Sequence, residues 1–156
     1  MTYNDILRRI RYALNIDDPT MIEIFSLAGH VIEQSLLTSL LTKEGEPGYA
    51  SCSSRVLGYF LDGLIVKKRG RNEAGPGGQQ RPASHLTHNA ILKKLRIALE
   101  LKEEDMLDVL KLADIQLSKA ELTALFRKEG HKNYKECGDQ FLRNFLKGLS
   151  MRFRSR

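Results

Sequence analysis

The sequence of 156 residues lacks tryptophan and has only two cysteines and four prolines. Cys52 and Cys137 are too few for the disulfide framework that small secreted domains use in place of a large core. No run approaches the roughly 18 consecutive apolar residues that a transmembrane helix requires. The first residues also lack the basic and then apolar pattern of a secretory signal. Together these absences predict a protein of the reducing cytoplasm without a membrane-spanning segment.

The composition is typical of a folded chain, because 42% of the residues are hydrophobic and 28% are charged. The 25 basic and 19 acidic side chains give a formal net charge of +6. Residues 86–156 hold fifteen basic and ten acidic residues, whereas residues 1–70 hold eight of each. A moderate positive charge on the second half suits a partner that carries phosphate groups.

An internal repeat is the strongest signal in the sequence. With a shift of 85 positions, residues 1–70 align with residues 86–155 without a gap and share 24 identities. Unrelated sequences of this length share roughly four. The identical pairs include buried-type residues and also Asn4/Asn89, Arg11/Arg96, Cys52/Cys137 and Gly63/Gly148. The chain is therefore predicted to be a tandem duplication.

The copies are separated by residues 71–85, which contain the run Gly75-Pro76-Gly77-Gly78 and also Pro82. Such a segment has little to bury and is rich in residues that interrupt regular structure. Its glycines follow no strand and precede no Walker lysine, so they do not predict a phosphate-binding loop. We divide the chain into a first helical unit (1–70), a flexible linker (71–85) and a second helical unit (86–156).

Each copy is predicted to form four short α-helices. Apolar residues recur at helical spacing from Ile6 onward, and Asp17 followed by Pro19 predicts the start of the second helix. Ser118 and Glu121 form the pattern of a capping box. No segment alternates for long enough to predict a strand.

Glycines and asparagines that are identical in both copies predict further details. Gly45 and Gly130 are expected to end the third helix of each copy. Asn4 and Asn89 are expected to cap the first helix. The glycine pair 63/148, inside an apolar helix, suggests close approach of another helix. The predicted fold is all-α, a duplicated four-helix unit with a Gly/Pro-rich linker, and it stays open whether the two units pack together or move independently.

Catalytic and metal-binding motifs are absent from the sequence. The four histidines have no repeat partners and no metal-ligand spacing with the cysteines. No nucleophile elbow, zincin helix or dinucleotide fingerprint occurs. Cys52 and Cys137 admit two interpretations, a thiol acidified by the neighbouring helix start or a small buried apolar side chain, and we favour the second. We expect no enzyme, no metal and no cofactor.

Two sets of basic residues are candidates for partner binding. The first is a repeated set near the start of each first helix, where positive charge is electrostatically unfavourable, although a solvated helix face is the alternative explanation. The second surrounds a tyrosine in the loop after the third helix, where a ring among cations is typical of single-strand binders. For that loop the alternative is structural, with the glycine ending a helix and the tyrosine fixing the loop. The candidates are Arg8, Arg9, Arg11, Lys93, Lys94, Arg96, Lys128, Lys132, Tyr134 and Lys135.

Several segments carry a family resemblance. They are Asn4-Asp5-Ile6-Leu7-Arg8, residues 60–65, 68–70 and 92–98, and most specifically Glu136-Cys137-Gly138-Asp139-Gln140-Phe141-Leu142-Arg143, followed by Phe145-Leu146 and Gly148-Leu149. On these motifs the chain resembles the YehS-like family of small bacterial proteins of unknown function over essentially its whole length. The resemblance implies a duplicated, cytoplasmic bacterial protein and brings no established activity, substrate or catalytic residue.

The sequence thus predicts a non-enzymatic binding module, with nucleic acid or a ribonucleoprotein-type assembly as its partner. The alternative is a protein–protein interaction adaptor whose two helical lobes present a groove to an acidic or helical partner. If binding is electrostatic, the second copy should dominate, with Lys93, Lys94 and Arg96 as its main contacts. Binding that weakens steeply with salt separates the first hypothesis from the second.

Overall fold

The computed structural model describes residues 1–71 and 85–154, and within these ranges it contains eight α-helices and no β-strand. The first copy forms α1 (Tyr3–Leu14), α2 (Asp18–Leu27), α3 (Gln34–Leu41) and α4 (Ser54–Arg69). The second forms α5 (His88–Ala98), α6 (Glu103–Leu112), α7 (Lys119–Leu125) and α8 (Asp139–Arg154). The predicted all-α, duplicated fold is confirmed. The predicted linker falls mainly on residues 72–84, which lie outside the described residues.

The starts of the helices follow the signals in the sequence. The side chain of Asp17 caps α2, and Ser118 and Glu121 form the predicted capping box of α7. The first helix of each copy is capped by a threonine, Thr2 for α1 and Thr87 for α5. These caps occupy equivalent positions, so the copies begin in the same way.

The third helix of each copy is shorter than the glycines predict. Both α3 and α7 end several residues before Gly45 and Gly130, so that prediction is wrong. The reason is a return of the chain onto the helix end: the amide of Lys135 donates to the carbonyl of Ala124 at 3.0 Å, and the first copy has the equivalent bond. The two glycines lie within the loop, where they adopt φ values of +88° and +94°.

Gly63 and Gly148 lie where two helices of the same copy touch. A Cβ atom at Gly63 would lie 1.8 Å from the carbonyl oxygen of Ile24 in α2. At Gly148 it would lie 2.2 Å from the carbonyl oxygen of Val109 in α6. The predicted close approach is confirmed, because only a residue without a side chain allows the backbones of α4 and α2, and of α8 and α6, to meet.

The two copies pack together around one hydrophobic core to which all eight helices in the described ranges contribute. Within each copy, α2 lies against α4 and α6 against α8. Between the copies, α1 lies beside α8 and α5 beside α4. Each first helix thus packs mainly on the last helix of the other copy, which settles the question that the sequence left open. We call these two contacts the α1–α8 seam and the α4–α5 seam.

Equivalent polar contacts occur at the same end of both seams. Arg69 pairs with Glu100 at 2.6 Å in the α4–α5 seam. In the α1–α8 seam the equivalent residues are Arg154 and Asn15, and the guanidinium donates to the Asn15 Oδ1 at 3.2 Å. The repetition of this contact indicates an approximate two-fold relation between the copies. The same relation allows each candidate residue to be compared with its counterpart.

Candidate functional site

The repeated basic set lies in the middle and the last turn of the first helix of each copy, so the prediction that it lies near the helix start is wrong. Arg11 and Arg96 are in the last turn, where positive charge is favourable. The Nε of Arg11 donates to the carbonyl of Ile16 at 3.1 Å, and the Nε of Arg96 donates to that of Leu101 at 3.0 Å. Arg11 also forms an ion pair with Asp18 at 2.7 Å. Because donors and acceptors are equivalent in the two copies, the fold itself accounts for the identity of this pair.

Arg8 and Lys93 occupy equivalent positions but have different surroundings. Arg8 forms an ion pair with Asp5 and donates to the carbonyl of Thr42 at 3.3 Å. The second copy has Ala90 at the position equivalent to Asp5. Lys93 is exposed, and its ammonium group forms no hydrogen bond or ion pair with any other residue that the structure describes. The positive charge is therefore compensated in the first copy and available in the second.

Arg9 and Lys94 are also equivalent, and each lies at a seam. Lys94 forms an ion pair with Asp62 across the α4–α5 seam, with 2.5 Å between Nζ and Oδ1. Arg9 is exposed at the α1–α8 seam and has no ion pair within residues 1–71 and 85–154. Of the three basic residues on α5, Lys94 and Arg96 already have intramolecular partners, and Lys93 is the one left to meet a partner molecule.

An open groove of about 350 Å³ lies between the start of α5 and the loop that follows α7. Lys93 contributes to it from α5, while Lys128 and Tyr134 contribute from the loop, and Phe126 and Glu129 also line it. We call this the second-repeat groove. The structure thus brings Lys93, from the basic set on the first helix, together with Lys128 and Tyr134, from the basic set in the loop, although they lie far apart in the sequence.

The loop beside this groove carries more positive charge than its counterpart in the first copy. Residues 127–138 contain four basic and two acidic side chains, whereas the equivalent residues 42–53 contain one basic and two acidic. Lys132 and Lys135 are both exposed in this loop, although neither lines the groove. They add to the positive field at its edge.

The two equivalent tyrosines of these loops also differ, because the first-copy tyrosine has an internal hydrogen-bond partner and the second-copy tyrosine has none in the described part of the chain. The hydroxyl of Tyr49 donates to Asn4 Oδ1 at 3.1 Å. The hydroxyl of Tyr134 forms no hydrogen bond with the described part of the chain. Partial burial, followed by the carboxylates of Glu129 and Glu136, raises the pKa of Tyr134, so its phenol is neutral at physiological pH. Of these two tyrosines, Tyr134 is the one whose hydroxyl is available to a ligand.

A buried asparagine holds this loop in place, and sequence reasoning missed that role. Asn89 Nδ2 donates to the carbonyls of Leu125 and Lys135 at 2.9 and 2.8 Å, and its Oδ1 accepts from the amide of Cys137 at 2.8 Å. Asn4 makes the equivalent three bonds in the first copy. The predicted capping role is wrong, because the threonines do the capping. The position of these asparagines on the apolar face of the helix was the signal that could have revealed their role.

Cys52 and Cys137 are buried free thiols, and burial raises the pKa of both to about 12. The interpretation as a helix-acidified thiol is therefore wrong. Because the thiolate is the reactive form, we expect both thiols to alkylate slowly with iodoacetamide in the native protein at neutral pH. In urea they should alkylate rapidly, and intact-mass spectrometry follows both reactions. Rapid modification of the native protein would contradict this burial.

The described ranges contain no group of three or more histidine, cysteine, aspartate or glutamate side chains arranged to hold a metal ion. One histidine does lie beside a carboxylate: His88 Nε2 is 3.3 Å from Asp139 Oδ1. The other oxygen of Asp139 accepts a hydrogen bond from the N-terminal ammonium at 2.8 Å. These contacts connect α5, α8 and the first residue of the chain.

Within residues 1–71 and 85–154, no helix has both the length and the apolar character needed to cross a bilayer.

Comparison with known proteins agrees with the duplicated architecture. The family model described as "Protein of unknown function (DUF1456)" matches residues 3–70 and again residues 88–155. The chain is 42% identical over 152 residues to the uncharacterized protein YehS of Escherichia coli strain K12, covering 97% of this chain and 96% of that protein. No solved structure matches. The resemblance that the sequence motifs predict is confirmed.

Proposed function

The chain belongs to the DUF1456 family, whose function is unknown, and from this premise we propose that it is a non-enzymatic, cytoplasmic module that binds nucleic acid through its second repeat. The observation that carries the proposal is the second-repeat groove, where Lys93, Lys128 and Tyr134 converge. Lysines supply the phosphate contacts that dominate nucleic-acid affinity. An aromatic ring supplies a surface on which an unpaired base stacks. The combination favours a single strand over a duplex.

Comparison of the two copies supports this assignment to the second repeat. In the first copy the equivalents of Lys93 and Tyr134 are Arg8 and Tyr49, and both are engaged by Asp5 or Asn4. In the second copy neither side chain has such a partner among the residues that the structure describes. A lysine and a tyrosine without internal partners leave the second copy able to contact the phosphate and the base of an external strand.

The proposal is tested by neutralising the lysines of the groove and its loop. The test variant changes four residues to glutamine: Lys93, Lys128, Lys132 and Lys135. We expect it to bind a fluorescent oligothymidine about 30-fold more weakly than the wild type. This value follows from about 0.5 kcal/mol for each exposed phosphate contact, with Lys132 and Lys135 beside the groove contacting the strand as Lys93 and Lys128 do within it. Tyr134→Leu should weaken binding about tenfold, because it removes the stacking ring. Fluorescence anisotropy at low salt measures both.

A matched control changes four exposed lysines outside the groove and its loop to glutamine. They are Lys43, Lys68, Lys111 and Lys119. This control lowers the net charge by the same amount, so we expect it to retain most of the wild-type affinity. Equal losses in the two variants would contradict a defined site. Wild-type protein that binds an acidic helical peptide but no oligonucleotide would overturn the proposal in favour of a protein–protein adaptor.

A further inference from the structure

The two seams are related by the internal repeat, but their charges differ. At the α4–α5 seam, Lys94 and Asp62 form an ion pair at 2.5 Å. The equivalent residues at the α1–α8 seam are Arg9 and Lys147, so two cations replace a cation and an anion. Neither side chain has a hydrogen bond or an ion pair with another residue of the described ranges. The α1–α8 seam therefore lacks the carboxylate that its counterpart contains.

The side chains that close the two seams differ as well. Ile65 in the α4–α5 seam is buried, and Ile97 is partly buried against the core. Their equivalents in the α1–α8 seam are Ser150 and Tyr12, and Tyr12 is 60% exposed. The result is an open groove of about 340 Å³, which we call the seam groove. It is lined by Arg8, Arg9, Tyr12, Leu146, Lys147 and Ser150.

The described residues around the seam groove do not supply the missing negative charge. Asp5, which also senses the charge of Arg9, is already paired with Arg8. Arg154 adds a further cation at one end, where it lies over the Tyr12 ring at 4.0 Å. Its hydrogen-bond acceptors there are the uncharged Tyr12 carbonyl and an asparagine oxygen. The groove thus presents uncompensated positive charge beside a hydroxyl group and an aromatic ring.

We propose that the seam groove binds a phosphate-bearing anion, which provides the negative charge that Asp62 provides at the other seam. A phosphate group carries a charge of about −1.5 to −2 at neutral pH, which is roughly enough to balance the two positive charges of Arg9 and Lys147. Its oxygens accept the charge-assisted bonds that guanidinium and ammonium groups donate, and the Ser150 hydroxyl adds a neutral donor. This site uses other residues than the second-repeat groove and does not rest on the proposed function.

Lys147→Asp tests the proposal, because it rebuilds at the α1–α8 seam the ion pair of the α4–α5 seam. We expect this variant to keep at least the wild-type thermal midpoint, since Arg9 gains a partner. In isothermal titration calorimetry with inorganic pyrophosphate at low salt, its affinity should fall about tenfold or more. Lys43→Asp makes the same change of charge in an exposed loop of the first copy and should leave pyrophosphate affinity unchanged.

Arg9→Gln provides a second, independent variant that removes a cation without adding an anion. It should also weaken pyrophosphate binding, by roughly fivefold for the loss of one solvent-exposed ion pair. Both variants are then titrated with the oligothymidine used for the second-repeat groove. Weaker oligothymidine binding without any pyrophosphate binding supports the site, with a nucleic-acid backbone as the source of the phosphate. Loss of pyrophosphate binding with oligothymidine binding intact supports a separate, small phosphate ligand.

The proposal is overturned if Lys147→Asp and Arg9→Gln bind both probes as the wild type does. It is also overturned if Lys43→Asp weakens pyrophosphate binding as much as Lys147→Asp, because net charge rather than the seam groove would then be responsible. Neither result depends on the lysines of the second-repeat groove. Failure of one site is therefore distinguishable from failure of the other.

Discussion

Gly148→Ala is expected to lower the free energy of unfolding by about 3 kcal/mol, the upper end of the usual range for overpacking a core. The new methyl group would lie 2.2 Å from the carbonyl oxygen of Val109, a backbone atom that cannot rotate away. Helix propensity favours alanine over glycine by about 1 kcal/mol, which is too little to offset separation of α8 from α6. Gly63→Ala should behave in the same way, because its contact with Ile24 is closer still.

Thermal unfolding followed by circular dichroism measures this effect, and a midpoint about 6 to 12 °C below that of the wild type is expected. Gly138→Ala is the control, since no atom lies within 4 Å of its added Cβ. The carbonyl of Gly138 accepts the first hydrogen bond of α8. Since alanine is a poorer residue than glycine at such a helix start, we expect Gly138→Ala to lower the free energy of unfolding by less than about 1 kcal/mol. A neutral Gly148→Ala variant would contradict the close helix contact.

Asn89→Ala is expected to lower the free energy of unfolding by about 4 kcal/mol. The change leaves the carbonyls of Leu125 and Lys135 and the amide of Cys137 without their partner. Each buried polar group left unsatisfied costs about 1 to 3 kcal/mol, and water can reach part of this site. Asn4→Ala should have a similar effect in the first copy, where the same bonds occur. Urea unfolding at equilibrium measures both.

The same substitution connects stability with the proposed function. Asn89 ties the end of α7 to the loop that carries Lys128 and Tyr134, so loss of these bonds should also weaken oligothymidine binding. Asn133→Ala, in the exposed part of the same loop, is the control and should change stability by less than about 0.5 kcal/mol. A loss below about 1 kcal/mol in Asn89→Ala would show that the asparagine does not hold the loop.

The helices and the duplication could be predicted from the sequence, because each rests on local or repeated patterns. The capping box of Ser118 and Glu121 and the helix start at Asp17 depend on neighbouring residues alone. The glycine pair 63/148 revealed a helix contact because glycine in a helix is unfavourable unless a neighbour requires it. The ends of α3 and α7 were placed wrongly, since a hydrogen bond from a distant loop residue sets them.

The candidate site was only partly predictable, because it depends on which side chains are already partnered in the folded chain. Lys94 and Arg96 looked equal to Lys93 in the sequence. In the structure one is paired with Asp62 and the other donates to a backbone carbonyl. The contribution of Lys147 to a basic surface could not be foreseen, since it requires knowing that α8 lies beside α1 rather than within a separate lobe.

The central claim, that the second repeat contacts phosphates, is tested most directly by the salt dependence of oligothymidine binding. For single strands, the logarithm of the association constant falls with the logarithm of the salt concentration, with a slope of about −0.7 for each phosphate contact. The variant with Lys93, Lys128, Lys132 and Lys135 changed to glutamine is expected to show a slope shallower by about 3 than the wild type. Identical slopes for the variant and the wild type would contradict the claim.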